Sequence, residues 1–170
     1  VIEGKDNRHL ASPPPVQPHI AHRHHRRQAI TKVPTMTQSA YPHLMAMVEE
    51  SFEKYRDLPA FISMGKSITF GEVDRMSRNF GAYLQSRGLR PGDRIAIMMP
   101  NLLQYPIAMF GALRAGLIVV NTNPLYAPRE MRHQFIDSGA TAVIIAENFA
   151  ANLEQILGET QIKTVILTSV

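Results

Sequence analysis

The feature that most constrains this chain is a repeated alternation between short, continuously apolar runs and helix-length segments. Ile95-Ala-Ile-Met-Met99, Leu117-Ile-Val-Val120, Thr141-Ala-Val-Ile-Ile-Ala146 and Thr164-Val-Ile-Leu-Thr168 are too short for buried helices and rich in β-branched residues. A strand that is apolar on both sides needs cover on both faces, and intervening helices supply it. The implied fold class is α/β, with a doubly wound, mostly parallel sheet. The last run is followed by neither a capping helix nor an antiparallel edge strand. The sheet is therefore expected to be incomplete, with the native polypeptide continuing beyond it.

The segments between the runs read as helices with identifiable starts and stops. Leu44, Met47, Val48, Ser51, Phe52 and Tyr55 have helical spacing behind Pro42, which predicts a helix that opens on this proline and ends near Arg56. Residues 60–63 and 67–70 flank Met64-Gly65-Lys66 and predict a short hairpin. Thr69 and Glu72 have capping-box spacing for a helix over 70–87 that aligns Val73, Met76, Phe80 and Leu84. Further helices are predicted over 102–115, closed by Gly116, and from Pro128 to a stop at Gly139. Another is predicted across Phe149, Leu153, Ile156 and Leu157.

The formal charge of +4 suggests a polyanion partner until it is divided along the chain. Residues 1–35 hold six basic residues (Lys5, Arg8, Arg23, Arg26, Arg27, Lys32) against two acidic ones (Glu3, Asp6), whereas 36–170 balance at twelve of each. A neutral domain has no electrostatic footprint for a phosphate backbone, so no nucleic-acid partner is expected. Residues 1–35 also carry Pro13-Pro14-Pro15 and a cluster containing His19, His22, His24 and His25. They read as a disordered leader, with no carboxylate or thiolate to turn the histidines into a metal site. The organisation is thus a Pro/His/Arg-rich leader over 1–35 and a folded part over 36–170. With no cysteine, disulfides and thiolate chemistry are excluded.

Few motifs could carry chemistry. Gly111 and Gly116 have P-loop spacing, but Leu117 and Ile118 stand where the loop needs Lys and Ser or Thr. No GxGxxG or GxSxG occurs. Glu130 and His133 have the Glu-x-x-His spacing of di-iron bundles, with Asp137 one turn on, yet no second copy exists to complete a site. These residues are expected on a solvated helix face. Arg114, at the end of an apolar helix, is expected to serve the helix dipole. No residue is assigned a catalytic, cofactor-binding or metal-binding role.

Three ordered motifs carry a resemblance. They are Ser67-Ile-Thr-Phe-Gly-Glu-Val-Asp-Arg-Met-Ser-Arg78, Gly88-Leu-Arg-Pro-Gly-Asp-Arg-Ile-Ala-Ile-Met-Met-Pro-Asn101 and Phe110-Gly-Ala-Leu-Arg-Ala-Gly-Leu-Ile-Val-Val-Asn-Thr-Asn-Pro-Leu-Tyr126. Together they resemble the amino-terminal region of the adenylate-forming enzymes. Asn101-Leu-Leu-Gln-Tyr-Pro106 and Asn123-Pro-Leu-Tyr-Ala-Pro-Arg-Glu130 are most similar to the bacterial long-chain fatty acid:CoA ligases, and the likeness runs over 44–167.

The resemblance implies that 36–170 is a truncated amino-terminal part of an AMP-binding domain. The parent enzyme would use ATP and Mg2+ to convert a fatty acid to an acyl-adenylate and then to its CoA thioester. That family's phosphate loop, ribose-binding aspartate and catalytic lysine have no counterpart here, so the segment alone is expected to be inactive and to bind no cofactor. The resemblance further implies a cytoplasmic enzyme and leaves open peripheral membrane contact and a homodimer formed through this region. A self-sufficient nucleotide-binding α/β module is the alternative, weakened by the absence of a glycine-rich turn. Because the leader cannot pack, deleting residues 1–35 should leave the thermal midpoint unchanged. Thermal unfolding of the two forms checks this, and a fall of several degrees would refute it.

Overall fold

Local chemistry sets where most elements begin and end in the structure, a computed structural model that describes residues 40–169. The leader predicted over 1–35 lies outside the described residues. Helix α1, Leu44–Lys54, starts two residues later than the proline predicted. His43 is its N-cap, its Nδ1 accepting from the Ala46 amide at 3.1 Å, and this leaves Pro42 just outside the helix. Strands β1, Pro59–Ser63, and β2, Lys66–Thr69, form an antiparallel hairpin. Its two-residue turn places Met64 and Gly65 at φ 51° and 76°, the left-handed pair that suits strand twist and that is strained for methionine.

Helix α2, Phe70–Ser86, has the expected capping box. Thr69 Oγ1 accepts from the Glu72 amide at 3.2 Å, and the Glu72 carboxylate accepts from the Thr69 amide at 2.8 Å. Then follow β3, Arg94–Met98; α3, Gln104–Arg114; β4, Ile118–Asn121; α4, Pro128–Ser138; and β5, Ala142–Ala146. Helix α5, Ala150–Glu154, leads to the last strand, β6, Thr164–Thr168. The longer helix predicted across 149–157 breaks instead into α5 and two single 3-10 turns around it. Neither α5 nor these turns has a side-chain cap, and Gly158 weakens any continuation.

The four later strands form one parallel sheet in the order β4-β3-β5-β6. Alternation along β3 divides the core. Ile95 and Ile97 join Leu84, Ala112 and Ile144 beneath α2 and α3. Ala96 and Met98 join Met131, Phe135, Val143 and Ile145 beneath α4 and α5. Helices on both faces explain why every residue of β5 is buried. The predicted second buried strand over 117–120 is shifted and sits at an edge, with Ile118 49% exposed. The shift has a local cause: the Leu117 amide bonds back to Ala112 O at 3.0 Å, in the motif that ends α3, so the strand begins one residue later.

Replacing Thr69 by Ala removes half of the α2 capping box and should cost about 1 kcal/mol of stability. Urea unfolding checks the figure, and activity per folded molecule in the full-length protein should be unchanged.

Candidate functional site

In an open parallel sheet, ligands bind beyond the carboxyl ends of the strands, where the direction of winding reverses. Here β3 is flanked by the strands that follow it on both sides, so the reversal falls between β3 and β5. The loops at that end are 99–103, 122–127 and 147–149, and they contain Glu147 but no lysine or arginine. The Leu103 N-cap of α3 makes no side-chain capping bond. A phosphate placed there would meet no cation from these loops, which removes the main support for a self-sufficient nucleotide module.

The polar groups at this end bind one another. Tyr105 Oη donates to Asn121 Oδ1 at 2.7 Å, and Gln134 Nε2 donates to Asn121 O at 3.0 Å, joining α3, the end of β4 and α4. Burial pushes the Tyr105 phenol above its ordinary pKa, which keeps it protonated and donating. Ser63 Oγ donates to Asn101 O at 3.0 Å and ties the hairpin to the loop after β3. Gln134 Oε1 is buried and finds no partner among the described residues. No sequence motif marks this network, since single Tyr, Asn and Gln residues on separate elements meet only after folding.

Arg114, the basic residue in the last turn of α3, is in addition a structural hub. Its guanidinium bonds Asp74 Oδ1 at 2.6 Å, Ser77 Oγ at 3.1 Å and the Glu49 carboxylate, joining α3 to α2 and α1. It also lies 5.8 Å from the Phe52 ring centroid, and Phe52 itself packs edge-on against Phe110 at 5.2 Å. The Arg114 and Asp74 side chains are only 10% and 16% exposed, and Glu49 is 43% exposed. Asp74 is shared with Arg78, 3.1 Å away. Beside its place at the helix end, Arg114 belongs to a largely buried ion-pair network whose acidic partners the sequence does not disclose.

The remaining motifs resolve into structure. Gly111 lies in α3 where the helix crosses α2, and a Cβ there would meet Phe80 at 2.8 Å and Ser77 O at 3.1 Å. Gly116 ends α3 at φ 76°, and its Cβ would strike Pro91 at 2.9 Å. The P-loop spacing is thus produced by a close helix crossing and a helix stop. Glu130 accepts from the Ala127 amide at 2.8 Å at the start of α4, and Glu130, His133 and Asp137 are all exposed. Among the described residues no group of three His, Cys, Asp or Glu could hold a metal ion.

A parallel sheet in this order, wrapped by helices on both faces, is a doubly wound α/β fold that many families share. The profile of the AMP-binding enzymes matches residues 48–170, and the chain belongs to that family. It is 54% identical over 138 residues to the long-chain-fatty-acid–CoA ligase of Escherichia coli, covering 80% of this chain and 25% of that protein. A long-chain-fatty-acid–CoA ligase structure from Archaeoglobus fulgidus shares the fold at TM-score 0.67 and 22% identity, covering 72% of this chain and 26% of that one. A benzoate CoA ligase from Burkholderia xenovorans gives TM-score 0.68 at 29% identity, with 72% and 25% covered. The chain spans about a quarter of the length of the curated relatives it matches.

Arg114→Met leaves the Asp74 carboxylate, 16% exposed, with only the solvent-facing Arg78 as an ion-pair partner and should destabilise the fold by roughly 2 kcal/mol. Adding Asp74→Leu should restore part of that loss, since the poorly solvated carboxylate is then removed along with its missing partner. A double-mutant cycle in urea measures both.

Proposed function

We propose that this chain is the amino-terminal scaffold of an ATP-dependent ligase that activates a long-chain fatty acid as an acyl-adenylate and passes the acyl group to CoA. The observation that carries the reading is the 54% identity over 138 residues to a long-chain-fatty-acid–CoA ligase. The complete protein would take ATP, fatty acid and CoA, with Mg2+ to offset the charge of the phosphates.

The described residues do not fit a metal or phosphate role, because they lack both a ligand cluster and cations at the sheet's carboxyl end. Their contribution is mechanical. The sheet and its helices hold the loops at 99–103, 122–127 and 147–149 as one wall of the crevice, and the Tyr105–Asn121–Gln134 bonds fix that wall. Pre-positioned walls matter because misplacing a reacting group by about 1 Å costs on the order of 100-fold in rate.

The same reading places the enzyme in the cytoplasm and leaves open peripheral contact with a membrane, into which long-chain acids partition. Among the described residues no helix is long and apolar enough to cross a membrane.

The test is pyrophosphate exchange into ATP by the complete polypeptide, with a saturated long-chain acid or benzoate as the acid. Exchange should depend on the long-chain acid and be followed by thioester formation with CoA. Exchange driven by benzoate alone would reassign the substrate class, and exchange with neither acid would refute the ligase reading.

A further inference from the structure

The β1–β2 hairpin carries apolar side chains that its own packing does not use. Ile62 is 74% exposed and Met64 is 77% exposed. Met64 also sits at φ 51°, a conformation in which asparagine or glycine would be unstrained. Strain kept at a position with no packing return points to a side chain retained for contact with something else.

The surface for such a contact is already shaped. Ser63 Oγ, bonded to Asn101 O at 3.0 Å, holds the hairpin beside the loop that leads into α3. Between hairpin, loop and α2 runs a groove of about 490 Å3, walled by Met64, Ile68, Met76, Leu102, Leu103 and Ile107. A hollow of about 210 Å3 adjoins it across Ser63, Leu102 and Leu103, with Phe61 and Ile62 on its border. The larger volume falls within the usual span of small-molecule sites, about 300–1,000 Å3. Among the described residues, Lys66 is the one charged group in either lining. It is exposed, lies outside the three crevice loops, and has no ion-pair partner among the described residues.

We propose that this groove binds a long-chain carboxylate, with the Lys66 ammonium holding the anionic head and the acyl chain lying along the apolar walls. The site rests on the ligase reading above, which supplies such an acid, and goes beyond it by giving that acid a place on this segment. Charge complementarity selects the occupant: one amphiphilic anion both covers apolar surface and pairs an isolated cation. Met64 and Met76, unbranched and polarisable, suit an alkyl chain that has no fixed conformation.

The test uses the complete polypeptide and a palmitate carrying a diazirine at mid-chain, kept below its micelle concentration. Irradiation is followed by peptide mass spectrometry. Label should fall in residues 61–68 and 102–107 and be displaced by unmodified palmitate. Excess hexanoate should leave it in place, because a short chain covers too little of the groove. Lys66→Glu should raise the half-saturating concentration at least about fivefold, since attraction at an exposed ion pair becomes repulsion. Met64→Asn should raise it about threefold by removing part of the apolar wall. Both positions are exposed and asparagine suits the turn, so both variants should fold.

Absence of label from these peptides, the outcome if the remaining polypeptide fills the groove, overturns the proposal. So does label that Lys66→Glu leaves unchanged, which would mark unspecific apolar contact. Label that appears only on dilution overturns it by making a second copy the occupant. Equal labelling by a diazirine phosphatidylglycerol in vesicles does the same by making a membrane the partner. Pyrophosphate exchange on the same sample separates the two readings. An active enzyme without label in the groove loses only this site, and a labelled protein without exchange loses only the ligase assignment.

Discussion

The close crossing of α2 and α3 is the constraint on which the rest depends. Neither Gly81 nor Gly111 has room for a Cβ: at Gly81 it would lie 3.0 Å from Gly111 O, and at Gly111 it would press on Phe80 and Ser77 O. This proximity brings Arg114 within reach of Asp74 and Ser77, both on the α2 turns that precede Gly81. Glu49 and Phe52 then attach α1 to the same guanidinium. Three helices are thus joined at one charge, which is kept from water only because its partners are in place. A buried ion pair of this kind adds little net stability by itself, but it penalises every arrangement that breaks it.

From that crossing the sheet follows. The paired helices offer one broad apolar face to Ile95, Ile97 and Ile144, while α4 and α5 cover Ala96, Met98, Val143 and Ile145 from the other side. With both faces of β3 and β5 closed, the carboxyl ends of the strands become the place where a ligand could meet the loops. Those loops offer hydrogen-bonding groups and apolar side chains but no cation. A carboxylate that attacks an anionic phosphate needs positive charge already held in place, and such preorganised electrostatic stabilisation commonly outweighs every other contribution to catalysis. Membership of the AMP-binding family and the absence of phosphate-holding groups in these loops agree if the segment is a scaffold.

Much of this architecture is legible before folding because it is governed by local rules. The Thr69 and Glu72 box, the stops at Gly116 and Gly139, and the runs that form β3, β5 and β6 all depend on residues within a few positions of one another. Sequence and structure part where the deciding interaction is not marked by a motif. His43 displaces Pro42 at the start of α1, the helix expected over 149–157 breaks into short turns, and β4 moves to an edge. The partners of Arg114 are hidden by distance along the chain: Glu49 is 65 residues away and Asp74 is 40. Tyr105, Asn121 and Gln134 form a polar network only because three elements converge, and nothing in their spacing announces it.

The claim that this segment is scaffold without reacting groups is tested most directly by calorimetric titration of Mg-ATP. The 170-residue chain and the complete polypeptide are compared, with circular dichroism confirming that the shorter chain is folded. The complete polypeptide should bind the nucleotide, and the folded segment should show no binding tighter than about millimolar, equivalent to roughly 4 kcal/mol. Micromolar binding by the segment would contradict the scaffold role, because a phosphate site would then have to exist among residues whose side chains serve packing.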